Sequence, residues 1–228
     1  MSFAPVLDFL TDLQANNHRD WMEQNKARYQ KAKQIFETQI TAFIEAVAAF
    51  DEPVRMRELQ AKNCTFRINR DIRFSKDKSP YKRNMGAFVS GYGKRSALAG
   101  YYLHIEPGGQ SFVAGGVYMP PAPLLRVIRE EIDYNLAEFE AILHEPMFAK
   151  YFSGLEGERL KTTPKGYEAN NPAIEWLRMK SFLASYPLSD ALLGSEQWLP
   201  AVADACKALA PLNRFINRAG EGLEHLQW

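Results

Sequence analysis

Cysteine is nearly absent from this 228-residue chain: Cys64 and Cys206 are the only two, too few and too far apart for a disulfide framework. Histidine is almost as sparse. His18, His104, His144 and His225 are scattered without the short spacing of a zinc motif, so no metal site is expected. No run of eighteen uncharged apolar residues occurs, which argues against a membrane-spanning helix. Met1 to Asp8 carries no basic start followed by an apolar stretch, so a secretory leader is not expected either. The 14 glycines form no Walker or dinucleotide-binding loop. Reduced thiols in a cytoplasmic protein are the simplest expectation, with cofactor and oligomeric state left open.

Apolar residues make up 46% of the chain and aromatic ones 12%, ample for a packed core. From about Pro5 to Phe50, Tyr29, Ala32, Phe36, Ile40, Phe43, Val47 and Phe50 recur every three or four residues, which predicts a short helix and then a long one. Asn17 is the expected cap of the turn that begins at His18. The following stretch reads as irregular up to a strand at Met85–Val89. A helix is predicted from Leu124 to about His144, ended by Glu145-Pro146, and another from Asn171-Pro172 through Lys180. A strand at Ser181–Tyr186 and a last amphipathic helix marked by Leu199, Val202, Cys206 and Leu209 follow, with Pro211 as a possible kink. These elements predict a single α+β domain over residues 1–228, a mainly antiparallel sheet packed against several helices with a long N-terminal helical segment.

The clearest strand signal is a hairpin, Tyr101–Glu106 and Ser111–Met119, about Gly108-Gly109. A two-residue turn there sets His104 against Val113 and Tyr102 against Gly115. Tyr101, Leu103, Ile105, Phe112 and Ala114 are then expected on the core face, with Tyr102, His104, Glu106 and Ser111 on the other. Gly115 would leave room opposite the Tyr102 ring, giving a shallow, partly aromatic floor.

Charge is uneven. Between Pro53 and Arg95 stand twelve Lys/Arg against three Asp/Glu, a local +9 in a chain of net +1, so the remainder carries −8. Arg67, Arg70 and Arg73, spaced by three, would converge on one side of a helical or 3₁₀ turn. Their planar forks suit phosphate or carboxylate, and Ser75, Lys78, Tyr81, Lys82 and Tyr102 could complete a cradle for an anion. Two other readings compete: Asp71 and Asp77 could tie the same cations into an internal ion-pair network, or the segment could dock an acidic partner.

The run Phe66-Arg-Ile-Asn-Arg-Asp-Ile-Arg-Phe-Ser-Lys-Asp-Lys-Ser-Pro-Tyr-Lys82, with Asn16-Asn-His-Arg-Asp-Trp21, Gly115-Gly-Val-Tyr-Met-Pro120 and Leu160-Lys-Thr-Thr-Pro-Lys-Gly-Tyr167, resembles a mainly bacterial family of uncharacterised proteins, domain of unknown function family two-four-six-one. The resemblance covers almost the full length and implies a cytoplasmic single-domain protein. It brings no catalytic residue with it.

Candidates for chemistry therefore come from the residues alone. His104 with Glu106 and Asp71 could move a proton. Asp71, Asp77 and His104 are the catalytic candidates if the chain is an enzyme, and Asp71 with Asp77 or Glu106 would be the ligands to test if phosphoester hydrolysis required a metal. Cys64 lies beside the basic segment, where cations could lower its pKa, although a cysteine so placed is more often a small buried residue. A second basic group, Lys161, Lys165, Arg178 and Lys180, could fold back towards the first. The leading functional expectation is an anion-binding cleft for a phosphate-bearing small molecule or short nucleic acid, with aromatic support from Tyr81 and Tyr102. The net −8 elsewhere would repel a long polyanion.

Overall fold

The structure is a computed structural model that describes residues 2–227. Three helices open it: α1 (Ala4–Ala15), α2 (Arg19–Gln24) and α3 (Lys26–Ala48). The predicted stripe forms the inner face of α3, where Ala32, Phe36, Ile40, Phe43 and Val47 are buried. The cap of α2 differs from expectation. His18 supplies it, its Nδ1 accepting the Trp21 amide at 3.3 Å. Asn17 reaches across the molecule instead, donating to the Tyr81 carbonyl (3.0 Å) and accepting the Tyr81 amide (3.1 Å).

Two short helices, α4 (Glu52–Met56) and α5 (Ala61–Cys64), lie in the stretch read as irregular. Asp51 starts α4 by accepting the Val54 amide at 3.1 Å, with Pro53 in the first turn, where no amide is needed.

Four strands, β1 (Met85–Val89), β2 (Gly100–Ile105), β3 (Ser111–Val117) and β4 (Phe182–Leu188), form one antiparallel sheet in the order β1-β2-β3-β4. Short segments bridge both of its edges, Thr65 to Ala87 of β1 and Glu156 to Leu183 of β4. Between β3 and β4 lie α6 (Ala122–Tyr134), α7 (Leu136–His144), α8 (Pro146–Tyr151) and α9 (Ile174–Leu177), and after β4 come α10 (Asp190–Leu193) and α11 (Trp198–Ala219). The helix expected from Leu124 to His144 is thus broken at Asn135. The one expected through Lys180 stops at Leu177. The backbone beyond it pairs with a neighbouring segment: the Lys180 amide donates to the Glu158 carbonyl (2.8 Å), and the Leu160 amide to the Arg178 carbonyl (2.7 Å). Pro211 sits inside α11 without ending it.

The hairpin register is one residue off the two-residue turn expected. His104 faces Phe112, Tyr102 faces Ala114 and Tyr101 faces Gly115. Gly108 (φ +80) and Gly109 (φ +71) both take the left-handed conformation, and the Asp190 carboxylate accepts both amides at 2.8 and 3.1 Å. The Ser111 hydroxyl closes the loop on the Glu106 backbone. An odd-length connection results, and a shift by one residue changes the face to which every side chain of β3 points.

The inner face of the sheet carries Met85, Ala87, Tyr101, Leu103, Ile105, Val113 and Phe182, all buried, and packs on α11 and α3. Gly115 belongs to this face. A Cβ there would stand 2.9 Å from Leu209 Cδ1 of α11, so Gly115 makes room for a helix rather than for Tyr102. The Tyr101 hydroxyl donates to Asp51 (2.8 Å), and the Asn213 amide of α11 donates to the Gly100 carbonyl (3.1 Å). No helix of the described residues is long and apolar enough to cross a membrane.

Candidate functional site

The other face of the sheet presents Gly86, Phe88, Gly100, Tyr102, His104, Phe112, Ala114, Gly116, Leu183 and Ser185, as the register dictates. Phe112 and Ala114, expected in the core, therefore stand beside Tyr102 and His104. Apart from Gly86 and His104, the residues of this face floor a groove of about 750 Å³. Phe66 and Lys82 wall it on the β1 side, Glu156 on the β4 side, and the exposed Tyr118 and Met119 form part of its lip. Phe66 gains its place because its segment extends the sheet, its amide donating to the Gly86 carbonyl at 3.0 Å.

Aromatic rings pack across the floor. Phe66 meets Tyr102 edge-on at 6.2 Å between centroids, and Phe112 stacks on the His104 ring at 4.6 Å and 13°. The Lys82 and Lys94 ammonium groups each lie 5.6 Å from the Phe66 ring centroid, within cation–π range. The Lys82 ammonium has no ion pair or hydrogen bond among the described residues. Burial, and next the nearby Arg67 charge, hold its pKa below the ordinary lysine value.

A chain of hydrogen bonds closes one end of the floor. Glu106 Oε2 lies 2.9 Å from His104 Nε2, and His104 Nδ1 lies 3.1 Å from the Tyr102 hydroxyl and 3.3 Å from the Asn84 amide. A carboxylate at Nε2 favours the proton on that nitrogen and leaves Nδ1 to accept from Tyr102 or Asn84. Gly86 permits this arrangement, since a Cβ there would stand 2.5 Å from the Tyr102 oxygen. Burial pushes the Tyr102 phenol up to about 12, so it remains a proton donor at neutral pH.

The arginine run is arranged otherwise than its spacing suggested. No helix forms between Cys64 and Met85, and Arg70 and Arg73 turn to different carboxylates, Asp77 and Asp71. Arg70, the least exposed of them, turns inward to Asp77, to Ser75 Oγ (3.2 Å) and to the Ser79 carbonyl (3.3 Å). Arg73 pairs with Asp71 at 2.6 Å, and Lys78 donates to the Ile72 carbonyl at 3.0 Å. Hydrogen bonds from Ser79 and then Arg70 hold the Asp77 carboxyl well below its usual range, and those from Arg73 do the same for Asp71. Tyr81 is pinned by Asn17. Of the eight residues read as an anion cradle, only Lys82 and Tyr102 line the groove.

The structure also places three further candidates. Asp71 is committed to Arg73 rather than to His104, so the proton-moving candidates reduce to His104 and Glu106. Burial pushes the Cys64 thiol up to about 11 and outweighs the opposing charges of Lys94 and Arg57, which leaves it a buried core residue rather than a thiolate. Arg178 and Lys180 pair with Glu175 and Glu158 of their own region. Among the described residues no group of three or more His, Cys, Asp or Glu side chains is placed to hold a metal ion. Sequence reasoning passed over Phe66, Asn84, Phe88, Glu156 and Ser185. The strand signals at 85–89 and 181–186 would have given Phe88 and Ser185, and Asn84 immediately precedes the first of them, but Phe66 and Glu156 join the site through bridges between distant segments.

A family model described as a conserved hypothetical protein, DUF2461, matches residues 5–215. No curated protein and no solved structure matches the chain.

Proposed function

Since the chain belongs to this family of conserved hypothetical proteins, whose description carries no activity, we propose from the geometry that it binds a planar, anionic small molecule in the groove on the open face of its sheet. The observation that carries this reading is one half-buried ammonium, Lys82, which faces the Phe66 ring and has no ion pair or hydrogen bond among the described residues, set beside a floor of aromatic and small side chains. Apolar walls with a few placed polar groups are the usual composition of a small-ligand site. The rings would stack on the ligand body, and Lys82, with Arg67 near it, would meet the anionic group. A nucleotide or another phosphorylated ring compound has this chemistry, and a short single strand would present it too. The burial of both thiols accords with a reducing cytoplasm.

The test uses anilinonaphthalene sulfonate, a fluorescent aromatic anion, and adenosine monophosphate as probes in titration calorimetry. Both are expected to bind the native protein, with about tenfold loss of affinity in Lys82→Ala, the size of one charge-assisted hydrogen bond. Ala114→Phe, which fills the floor without touching Lys82, should abolish binding. Affinity unchanged by both substitutions in folded protein would exclude the groove.

The hydrogen-bonded Tyr102, His104 and Glu106 favour a second reading, in which a bound ligand gains or loses a proton at the Tyr102 hydroxyl. In that case Glu106→Gln would bind the ligand normally and lose turnover.

A further inference from the structure

A second concavity, separate from the groove, gathers four of the twelve cations between Pro53 and Arg95, all of them outside the arginine run. It is a cavity of about 370 Å³ between the α4–α5 segment, the turn at residues 91–96 and the chain after α11. Arg57, Lys62, Lys94 and Arg95 line it against one carboxylate, Glu224. That carboxylate is engaged by the Gly222 amide at 3.0 Å. None of the four cations has an ion-pair partner among the described residues, and their hydrogen bonds are to backbone alone: Arg57 to the Gly91 carbonyl (2.9 Å) and Lys94 to the Thr65 carbonyl (2.6 Å). Gly93, at φ +94, would place any Cβ 3.1 Å from Arg57 Nη2, so glycine lets the guanidinium lie flat against the turn.

Four like charges gathered round a hollow repel one another and focus a positive potential into it. Without an anion the arrangement costs folding free energy, and a dianion relieves it. Guanidinium forks and ammonium groups together match the oxygens of a tetrahedral oxyanion. We propose that this cavity is a phosphate site, occupied by inorganic phosphate or by the terminal phosphoryl group of a small molecule. It contains neither Lys82 nor Tyr102 and does not depend on the groove reading. Lys94 is the common wall, because its ammonium also faces the Phe66 ring of the groove.

The experiment is a titration of isotope-labelled protein at fixed ionic strength, following backbone amide resonances, with inorganic phosphate in one arm and glycerol 3-phosphate in the other. Saturable shifts are expected at Gly93, Lys94, Arg95 and Ser96. Lys62→Ala and Arg95→Ala alter exposed side chains with no hydrogen bond or ion pair among the described residues, and each should weaken binding about tenfold, whereas Lys82→Ala should leave it unchanged. Tighter binding of glycerol 3-phosphate would identify a phosphorylated molecule as the occupant, and tighter binding of inorganic phosphate the free ion. Shifts that fail to saturate in both arms, or an affinity unaltered in the folded Lys62→Ala/Arg95→Ala double variant, would overturn the proposal. So would shifts confined to Lys82 and Asn84, which would assign the anion to the groove.

Discussion

A Cβ at Gly116 would stand 1.9 Å from the Phe182 carbonyl oxygen, on a backbone at φ +104, so an L side chain meets both a clash and a forbidden conformation. Gly108, at φ +80, has nothing within 4 Å of the same position. Gly116→Ala is therefore expected to lower the unfolding free energy by more than ~2 kcal/mol and Gly108→Ala by only ~1 kcal/mol, as denaturant midpoints would reveal. Equal losses would mean that conformation rather than the clash sets the cost. At this scale the sequence was legible where chemistry is intrinsic to a residue. Tyr102 and Lys82, two of the residues expected to face a ligand, line the groove. Phe112 and Ala114 were assigned to the wrong face because facing depends on register, and the register depends on Asp190, which lies 81 residues beyond Gly109 in the chain. Local pattern does not contain such a contact.

Among the elements, the loop at residues 70–79 shows how charge can be spent internally. Its base closes through the Asn69–Tyr81 bridge and the Arg70 amide to the Pro80 carbonyl (2.9 Å), while Arg70 and Asp77 tie its interior. The network reading weighed from sequence accounts for Arg70, Arg73, Asp71 and Asp77, though the anion reading was preferred there. Arg70→Ala should accelerate amide exchange across this loop and leave ligand affinity in the groove intact. Asp77 titrates below its ordinary 3.8 in the folded protein, so its contribution is present above that pH and declines as pH falls below it towards the folded-state value. Loop protection, taken relative to the intrinsic exchange rate at each pH, should fall on acidification through that range, less so in Asp77→Asn. Asn17→Ala removes both hydrogen bonds to Tyr81 and should cost about 1–2 kcal/mol, with the Tyr81 amide the first to lose protection. Helices and strands with strong periodicity, α3 and β1 among them, were read directly from sequence. The ends of α6 and α9 were not, because Asn135 and the Lys180–Glu158 pairing interrupt patterns that are locally helical.

At the level of the whole molecule, several phenols share one response to alkali. Burial is the first cause of a raised pKa at Tyr101, Tyr102, Tyr29, Tyr92 and Tyr167. The native state keeps these protons where the unfolded chain releases them, so stability is intact below about pH 10 and is lost as pH rises beyond it. Thermal unfolding should show Tm falling above pH 10, with a shallower fall in Tyr102→Phe. A Tm that stays level to pH 11 would contradict the burial of these hydroxyls as described.

The bridges at Thr65 and Glu156 have a further effect on how copies of this chain meet. An open sheet offers its outer strands as templates for more strands, the usual route to runaway association. Here the Gly86 carbonyl already accepts the Phe66 amide at 3.0 Å, and Leu183 exchanges both backbone bonds with Glu156, accepting at 2.7 Å and donating at 3.4 Å. Strand addition is therefore blocked at those positions on both sides, and any assembly there must be built from side chains, which makes it specific, reversible and open to change by single substitutions.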